Sequence, residues 1–468
     1  MESKNYDYDV IIIGAGIGGL VCGCYLAKTG FKTLIVEKNA RSGGYCTSFS
    51  RKNFKFDACA HSLGSLREDG NIRRVLDELK IQDFKFTRFD PQDVVVTPDY
   101  KIHFWNDLEK TIKEFQENFP NESSGISRFF HFVNSCKGAE FNSLRDITFT
   151  DLLDKYINDT KLRAILSILI LGNTGMPPSA VSAFTAVTIY KEFVLDGGYY
   201  PEGNMQALPD LLLKTFKSLK GKVFLSTLVK KIIVAEGRVE GIEAEGKGFV
   251  SAKYVVSDID ATQTFSKLIN EECILPETLS CLKQLEPSLS MFILYLGVEK
   301  SIESLFPDSN LWVLPNYDVE KMYQLAKSGE VESLDWFLAR LLPDKKSVIV
   351  LVNAPFKNKE YWQHNKDRLV DVFINKIERV IPNFSKHIIF KEAATPSTLY
   401  EWTLNYNGSS FGWEGTRSQF CVRGFSQVTP VKNLYLTGHW ATLAQGIPGV
   451  AYLGRSTANL IIKRKKSC

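Results

Sequence analysis

The chain has 468 residues, of which 44% are hydrophobic and 24% are charged. These fractions are close to the globular average and exclude a disordered chain, a collagen and a coiled coil. The net charge is only +4, from 57 basic and 53 acidic residues, so we expect no binding to nucleic acid. Nine cysteines are scattered without metal-binding or disulfide spacing, which predicts free thiols, a reducing cytoplasmic compartment and no metal site.

No run of about 18 apolar residues is present, so we predict no transmembrane helix. The apolar segment 10–27 resembles the core of a signal peptide, but the residues before it are acidic and polar. A secretory signal needs a positively charged start. We therefore interpret this segment as a buried strand, turn and helix.

The start of the chain predicts a dinucleotide-binding site. A β-branched strand, Val10–Ile13, is followed by a G-x-G-x-x-G motif, a helix over 20–30 and a second strand over 31–36. The glycines permit a tight turn, close approach of a pyrophosphate and close helix packing. Glu37 closes the second strand, where an acid binds the hydroxyls of a ribose. The motif supplies four glycines as predicted cofactor contacts: Gly14, Gly16, Gly18 and Gly19.

A second motif follows directly and indicates which dinucleotide binds. Arg41, Ser42, Gly43 and Gly44 form the R-x-G-G pattern that separates FAD flavoproteins from most NAD dehydrogenases. We expect Arg41 to neutralise a phosphate. The two glycines would let the loop run beside FAD.

Together with these motifs, two later segments resemble the phytoene desaturase and carotenoid isomerase family of FAD-dependent oxidoreductases, within the amine-oxidase-like flavoproteins. Residues 198–208, GYYPEGNMQAL, resemble the family signature YPxGGMxxL, with Asn204 at the second glycine. Residues 433–451 resemble the family's C-terminal flavin motif. The resemblance covers most of the chain and is weakest over 84–196 and 301–390.

The resemblance implies an α/β fold with two domains. A Rossmann-type FAD-binding domain would be assembled from the discontinuous segments 1–80, 195–290 and 400–468. An α+β substrate-binding domain would use 81–194 and 291–399.

The resemblance also implies cofactor contacts beyond the N-terminal motifs. A helix over 449–462 would point its positive N-terminal end at the flavin and stabilise negative charge there. The family usually has an acid at the position of His439; we interpret this histidine as a cofactor contact, with a structural histidine and a catalytic base as alternatives. The implied contacts are Lys38, Val229, Gly438, His439, Gly446, Ile447, Pro448 and Val450.

The implied activity is hydride exchange between flavin N5 and carbon–carbon bonds of an apolar isoprenoid or polyene. Desaturation, isomerisation and saturation all remain open, as does the terminal electron acceptor. Catalytic residues are not identified by the sequence, and His61 is the one weak candidate, with a solvated loop histidine as the alternative.

Three other functions compete with this interpretation. An amine oxidase would place aromatic residues before the flavin, and one such position falls on the aliphatic Ile447. A flavin-binding scaffold without catalysis is the second alternative. An NAD-linked dehydrogenase is the third, although no second G-x-G-x-x-G motif is present.

An apolar small-molecule substrate would be held in membranes or carried by protein, so we expect a cytoplasmic protein that can bind a membrane peripherally. Two segments are candidate contacts: the apolar Leu162–Leu171 and the basic tail Lys463–Lys466. A core helix and a helix that lines an apolar substrate tunnel are the alternatives for the first segment, and a solvated end is the alternative for the second.

Overall fold

Two seven-stranded sheets organise the fold in the computed structural model, which describes residues 5–420, 426–442 and 445–466. The strands in chain order are β1 (Tyr8–Ile13), β2 (Thr33–Val36), β3 (Ser48–Arg51), β4 (Phe54–Asp57), β5 (Phe86–Arg88), β6 (Asp93–Val96), β7 (Lys101–Phe104), β8 (Tyr199–Pro201), β9 (Lys222–Phe224), β10 (Val229–Ala235), β11 (Arg238–Ala244), β12 (Gly248–Ser257), β13 (Ser290–Val298), β14 (Asn310–Val313), β15 (Phe337–Leu341), β16 (Ser347–Ala354), β17 (Ile388–Ala394) and β18 (Leu434–Leu436).

Helices cover the sheets and form most of the connections. In chain order they are α1 (Ile17–Lys28), α2 (Asn71–Glu78), α3 (Leu108–Asn118), α4 (Ser123–Ser135), α5 (Gly138–Ser143), α6 (Phe149–Leu153), α7 (Thr160–Thr174), α8 (Ala183–Ile189), α9 (Ala207–Ser218), α10 (Ala261–Gln263), α11 (Pro276–Gln284), α12 (Val319–Ser328), α13 (Lys359–Val380), α14 (Pro396–Thr403), α15 (Arg417–Phe420) and α16 (Gly446–Lys466).

The first sheet has a parallel part in the order β9-β2-β1-β12-β18. The antiparallel hairpin β10-β11 joins it through the beginning of β12. The strands β1 and β2 are buried apolar runs, as parallel strands covered on both faces require. Helix α1 lies against α9 and α16. This arrangement confirms the predicted α/β class with a Rossmann-type unit whose strands are far apart in the sequence.

The second sheet is mixed, with the order β17-β13-β16-β15-β14-β6-β7. Most of its neighbours are antiparallel, whereas β14 and β6 are parallel. Helix α7 packs against it so closely that a Cβ atom on Gly172 would overlap the indole of Trp312. The predicted domain boundaries stay a proposal, although the strands of this sheet come from 93–104 and 290–394.

The segment 198–208 is held to β4 by a buried carboxylate. Asp57 accepts hydrogen bonds from Ser48 Oγ at 2.6 Å, from the amide of Met205 at 3.1 Å and from the Tyr200 hydroxyl. Asn204 has φ +79°, a left-handed conformation that asparagine adopts more easily than most residues. This property explains how asparagine replaces the family's second glycine at this turn.

Several predicted element boundaries differ from the observed ones. Helix α1 starts at Ile17 rather than at residue 20, because Gly16 is extended and serves as its N-cap. Ser226 has φ +49° and separates β9 from β10. Helix α16 starts at Gly446, three residues before its predicted start, and Pro448 lies in its first turn, where no backbone donor is needed.

The apolar segment Leu162–Leu171 was a predicted membrane contact, and the structure contradicts that role. It lies within α7, and all of its residues except Arg163 are buried. The segment is apolar because it is covered on nearly all sides by protein. Among the described residues, no helix has the length and hydropathy needed to cross a bilayer.

Candidate active site

One cavity extends from the carboxyl ends of β1 and β2 to the second sheet. The cavity has a volume of about 260 Å³. We call its first part the glycine end, bounded by Gly14, Gly16, Gly18, Glu37 and Asp258, and its last part the sheet end, bounded by Gly172, Phe193, Met291, Leu338 and Leu351.

At the glycine end, which we also call the cradle, the backbone lies so close to neighbouring segments that side chains on Gly18 and Gly19 would collide with them. A Cβ atom on Gly18 would lie 2.5 Å from Asp258 Oδ1 and 3.0 Å from the backbone of Gly438. A Cβ atom on Gly19 would lie 2.5 Å from the carbonyl oxygen of Gly14, which itself has φ +99°. The glycines therefore bring the start of α1 close to both neighbouring loops. The amide groups at a helix N-terminus favour an anion there.

Glu37 is held rigidly beside this cradle. Its Oε2 accepts a hydrogen bond from the amide of Ala15 and its Oε1 accepts one from the amide of Asn39, each at 2.8 Å. The side chain is buried, and this burial raises its pKa although the two amides lower it. Each carboxylate oxygen keeps acceptor capacity for a hydroxyl in the cavity.

Asp258 follows β12 and lies beside the N-terminus of α1. The pKa of its carboxyl is raised to about 8, mainly because of burial, while the amides of Gly19 and Gly16 oppose this rise and the negative Glu37 adds to it. Its Oδ2 has no hydrogen-bond partner among the described residues. The sequence motifs did not identify this residue, because it reaches the glycines only through the pairing of β1 with β12.

His439 lies between the two ends, and its neighbours fix its tautomer. Trp440 Nε1 can only donate, and it donates to Asn405 Oδ1 at 2.9 Å. The Nδ2 of Asn405 is therefore the atom that faces His439 Nε2 at 3.4 Å. His439 Nε2 is thus the acceptor and its Nδ1 bears the proton. Burial lowers the pKa of His439 to about 4, so the imidazole is neutral.

The sheet end is apolar. Met291, Leu338 and Leu351 come from the second sheet, while Phe193, Phe411 and Ile447 approach from other elements. In the described part of the wall, the carboxylates and cations are Glu37, Lys38 and Asp258, all at the glycine end. His61 and Asn173 are the partly exposed polar side chains between these apolar groups.

The sequence was compared with known proteins. Residues 12–79 match the family described as NAD(P)-binding Rossmann-like domain. All-trans-retinol 13,14-reductase of Danio rerio is 23% identical over 98% of this chain and 86% of its own length. Prolycopene isomerase 1 of an Oncidium hybrid cultivar is 24% identical over 98% and 85%. The lycopene-forming phytoene desaturase of Pseudescherichia vulneris is 25% identical over 97% and 99%. The chain is an oxidoreductase similar to retinol reductases, carotenoid isomerases and phytoene desaturases.

Solved structures share the fold of this oxidoreductase. An oxidoreductase from Methanosarcina mazei superposes with a TM-score of 0.67 at 18% identity, over 97% of this chain and 99% of that one. Putrescine oxidase bound to putrescine superposes with a TM-score of 0.67 at 16% identity, over 98% and 99%. The two-sheet arrangement of this chain therefore also occurs in solved structures of other proteins.

Most predicted site residues of the oxidoreductase lie on this one cavity. They are Gly14, Gly16, Gly18, Glu37, Lys38, Gly43, Gly44, His61, Val229, Gly438, His439, Gly446, Ile447 and Val450. Three others do not line it. Gly19 lies behind the cradle and Pro448 lies in the first turn of α16, whereas Arg41 is exposed and donates to the carbonyl of Ser48 at 2.5 Å. The phosphate contact of Arg41 stays a prediction.

Proposed function

We propose that the protein is an FAD-dependent oxidoreductase that exchanges hydride with carbon–carbon bonds of an apolar isoprenoid or polyene. The observation that supports this most directly is the single cavity that joins a glycine cradle to an apolar chamber. A dinucleotide bound in the cradle would extend toward a substrate that has no charged group.

The residues at the glycine end fit FAD. Glu37 would accept hydrogen bonds from the adenosine ribose, and the start of α1 would face the pyrophosphate. The orphaned Oδ2 of Asp258 and the position of Gly14, Gly16 and Gly18 on the cavity wall both favour a ligand that approaches this backbone closely. When bound, FAD supplies the hydride exchange.

His439 and α16 would hold the flavin part. His439 Nδ1–H is a donor, so it would bind a phosphate oxygen or a ribityl oxygen where relatives of this group use an acid. The N-terminus of α16 lines the cavity at Gly446 and Ile447, and its dipole favours negative charge nearby. The remaining role of the chain is to orient the substrate and exclude water.

The apolar sheet end favours a polyene over an amine. The names of the three relatives describe enzymes that act on retinol, prolycopene and phytoene. A protonated amine would need a counter-charge or an aromatic cage. The described wall of the sheet end has no carboxylate, and the cage position given by the resemblance falls on Ile447, although Phe193 and Phe411 also line this end. The resemblance to putrescine oxidase concerns the fold alone.

Peripheral membrane contact is part of this proposal, because an apolar substrate resides in lipid. With α7 buried, the basic end of α16 is the remaining predicted contact. The same helix exposes Tyr452 (47%) and Leu460 (37%) to solvent. These side chains would add apolar contact beside the basic residues.

The deciding experiment uses the purified protein. Its bound flavin is released by acid and identified as FAD or FMN by chromatography. The oxidised and the chemically reduced protein are then incubated without oxygen with liposomes that contain phytoene, prolycopene or all-trans-retinol, and the lipids are analysed by mass spectrometry.

A change in double-bond number or geometry in one of the three lipids is the expected result. Putrescine serves as the matched amine probe. Oxidation of putrescine without conversion of any polyene would replace the proposal by an amine oxidase. Purified protein that neither retains nor rebinds FAD would overturn the assignment of the cofactor.

A further inference from the structure

His61 lies on the cavity wall at the sheet end. Its Nδ1 lies 3.2 Å from Asn310 Oδ1 and 3.3 Å from Ser62 Oγ. Its ring makes an edge contact with Trp312, with centroids 6.3 Å apart. The side chain is partly exposed to the cavity. Whether the proton of His61 lies on Nδ1 or on Nε2 therefore determines whether the ring can accept a hydrogen bond from a ligand or donate one to it.

The amide of Asn310 is oriented by a buried carboxylate. Asp93 Oδ1 accepts from Asn310 Nδ2 at 2.9 Å and from Trp312 Nε1 at 2.7 Å. All three residues are buried. Reversing the Asn310 amide would place two acceptor oxygens against each other, so Oδ1 must be the atom that faces His61.

It follows that His61 Nδ1 bears the proton and donates it to Asn310. The other nitrogen, Nε2, then has a lone pair and acts only as an acceptor. Burial, and to a smaller extent the charge of Arg340, lower the pKa of His61 to about 4, although Asn310 and Asn173 raise it. The imidazole is therefore neutral at physiological pH, and Nε2 stays an acceptor.

The second polar group at this wall is also an acceptor. Asn173 lies beside His61 and donates through Nδ2 to the carbonyl of Leu169 at 2.8 Å. Its Oδ1 is then the acceptor end of a fixed amide. The sheet end is otherwise largely apolar, with Phe193, Leu338 and Leu351 on its wall. The indole of Trp336 also lines the cavity, and its Nε1 has no hydrogen-bond partner among the described residues. An acceptor pair in an apolar wall is satisfied by a ligand that is apolar apart from one hydrogen-bond donor.

We propose that the substrate is an isoprenoid or polyene alcohol whose hydroxyl donates to His61 Nε2 at the sheet end. This inference rests on the proposed function and narrows its substrate class from hydrocarbons to alcohols. Asn310 and Asp93 are positioning residues, because they act through His61. A primary ammonium is the other ligand with this donor pattern, but the described sheet end has no carboxylate to pair with it.

The test compares ligands that differ only at the oxygen. All-trans-retinol, its methyl ether and the corresponding retinylamine are titrated against the purified protein, with quenching of tryptophan fluorescence as the readout. The ether keeps the polyene and loses the donor. We expect retinol to bind at least about tenfold more tightly than the ether, because the ether oxygen faces acceptors.

Two variants assign this preference to the imidazole and to its orientation. His61→Phe keeps a ring of similar size and should reduce the alcohol-to-ether ratio to about one. Asn310→Leu removes the fixed acceptor, so the imidazole can place its proton on Nε2, and the ratio should fall as well. Ser62→Ala removes the other neighbour of Nδ1 and is the matched control, with an unchanged ratio. Nitrogen-15 NMR of labelled histidine reports which nitrogen bears the proton in each variant.

The outcomes separate this inference from the function that it refines. Equal binding of alcohol and ether by the wild type, an unchanged ratio in His61→Phe, or preference for retinylamine would each overturn it. Conversion of phytoene together with equal binding would leave the oxidoreductase intact and remove the alcohol site. Preference for the alcohol without conversion of any polyene would support the alcohol site and remove the proposed reaction.

Discussion

Asp258 places a buried carboxyl at the N-terminus of α1. Its pKa of about 8 exceeds the ordinary value of 3.8, so the folded state keeps a proton that the unfolded state loses above about pH 4. The stabilising effect of this proton is fully present below pH 4 and disappears as the pH rises through 8.

We therefore predict that the cofactor-free wild type loses stability relative to Asp258→Asn between pH 5 and 8. The loss is at most about 1.4 kcal/mol per pH unit. Thermal unfolding of both proteins at several pH values measures it. Parallel stability curves would show that Asp258 does not titrate in this range.

Glu37 supports a second prediction for a single side chain. Glu37→Ala removes the proposed acceptor for the ribose hydroxyls, and hydrogen bonds to a charged group contribute about 1.5–3 kcal/mol each. FAD affinity should fall at least tenfold, measured by flavin fluorescence titration. Glu277→Ala changes an exposed glutamate of α11 and is the control. Unchanged FAD affinity in Glu37→Ala would mean that the ribose binds elsewhere.

The residues that the sequence identified and those that it missed differ in how they reach the site. Gly16 and Glu37 belong to a local strand-turn-helix pattern, so spacing alone predicts them. Asp258 reaches the cavity, and Asn310 reaches His61, only through strand pairing, which no local pattern encodes. Arg41 belongs to a correct motif, yet its guanidinium binds the backbone of Ser48 in this structure.

The two ends of helix α16 differ in their surroundings and in their charge. Its N-terminus lines the cavity, whereas its C-terminal residues are basic. Lys465 lies over the ring of Phe31 at 4.3 Å, and Arg464 donates to the Tyr435 hydroxyl at 3.0 Å. Part of the basic tail is therefore packed against the protein, and its attraction to lipid should be smaller than its charge suggests.

We predict weak binding to anionic liposomes that decreases with salt. Each basic residue near the surface contributes about 1 kcal/mol at most. Replacing Lys463, Arg464 and Lys465 by alanine should reduce co-sedimentation at low salt, while Lys366→Ala on α13 should not. A wild type that stays in the supernatant at low salt would contradict membrane delivery.

The sequence predicted the presence of the long helices well, but it did not predict whether a helix is buried in protein or contacts lipid. The helix after the glycine motif and the C-terminal helix both form, with ends shifted by a few residues. The apolar run in α7 was predicted as a helix, but hydropathy does not distinguish burial in protein from contact with lipid. Only the packing of α7 against the second sheet decides between them.

FAD binding should raise the stability of the whole chain, because the strands around the glycine end come from distant parts of the sequence. Binding to the folded state alone stabilises it by about 2.7 kcal/mol at a free concentration of 100 times Kd. We predict a higher Tm with FAD than with an equal concentration of FMN, which lacks the adenosine that Glu37 would bind. Scanning calorimetry measures both. Equal shifts would show that the adenosine contributes no binding energy.

The order in which the strands of the first sheet are translated affects when the cofactor can bind. The neighbours of β1 are β2, made immediately afterwards, and β12, which in turn pairs with β18. About 400 residues separate β2 from β18, and a ribosome adds roughly 5–20 residues per second. Gly438, which completes the glycine end, is therefore translated roughly 20–80 s after β2. Until β12 has been translated, β1 lacks one of its two neighbours and its apolar surface is exposed to association with other chains. Loading of the cofactor is thus a late event that follows translation of the C-terminal strand.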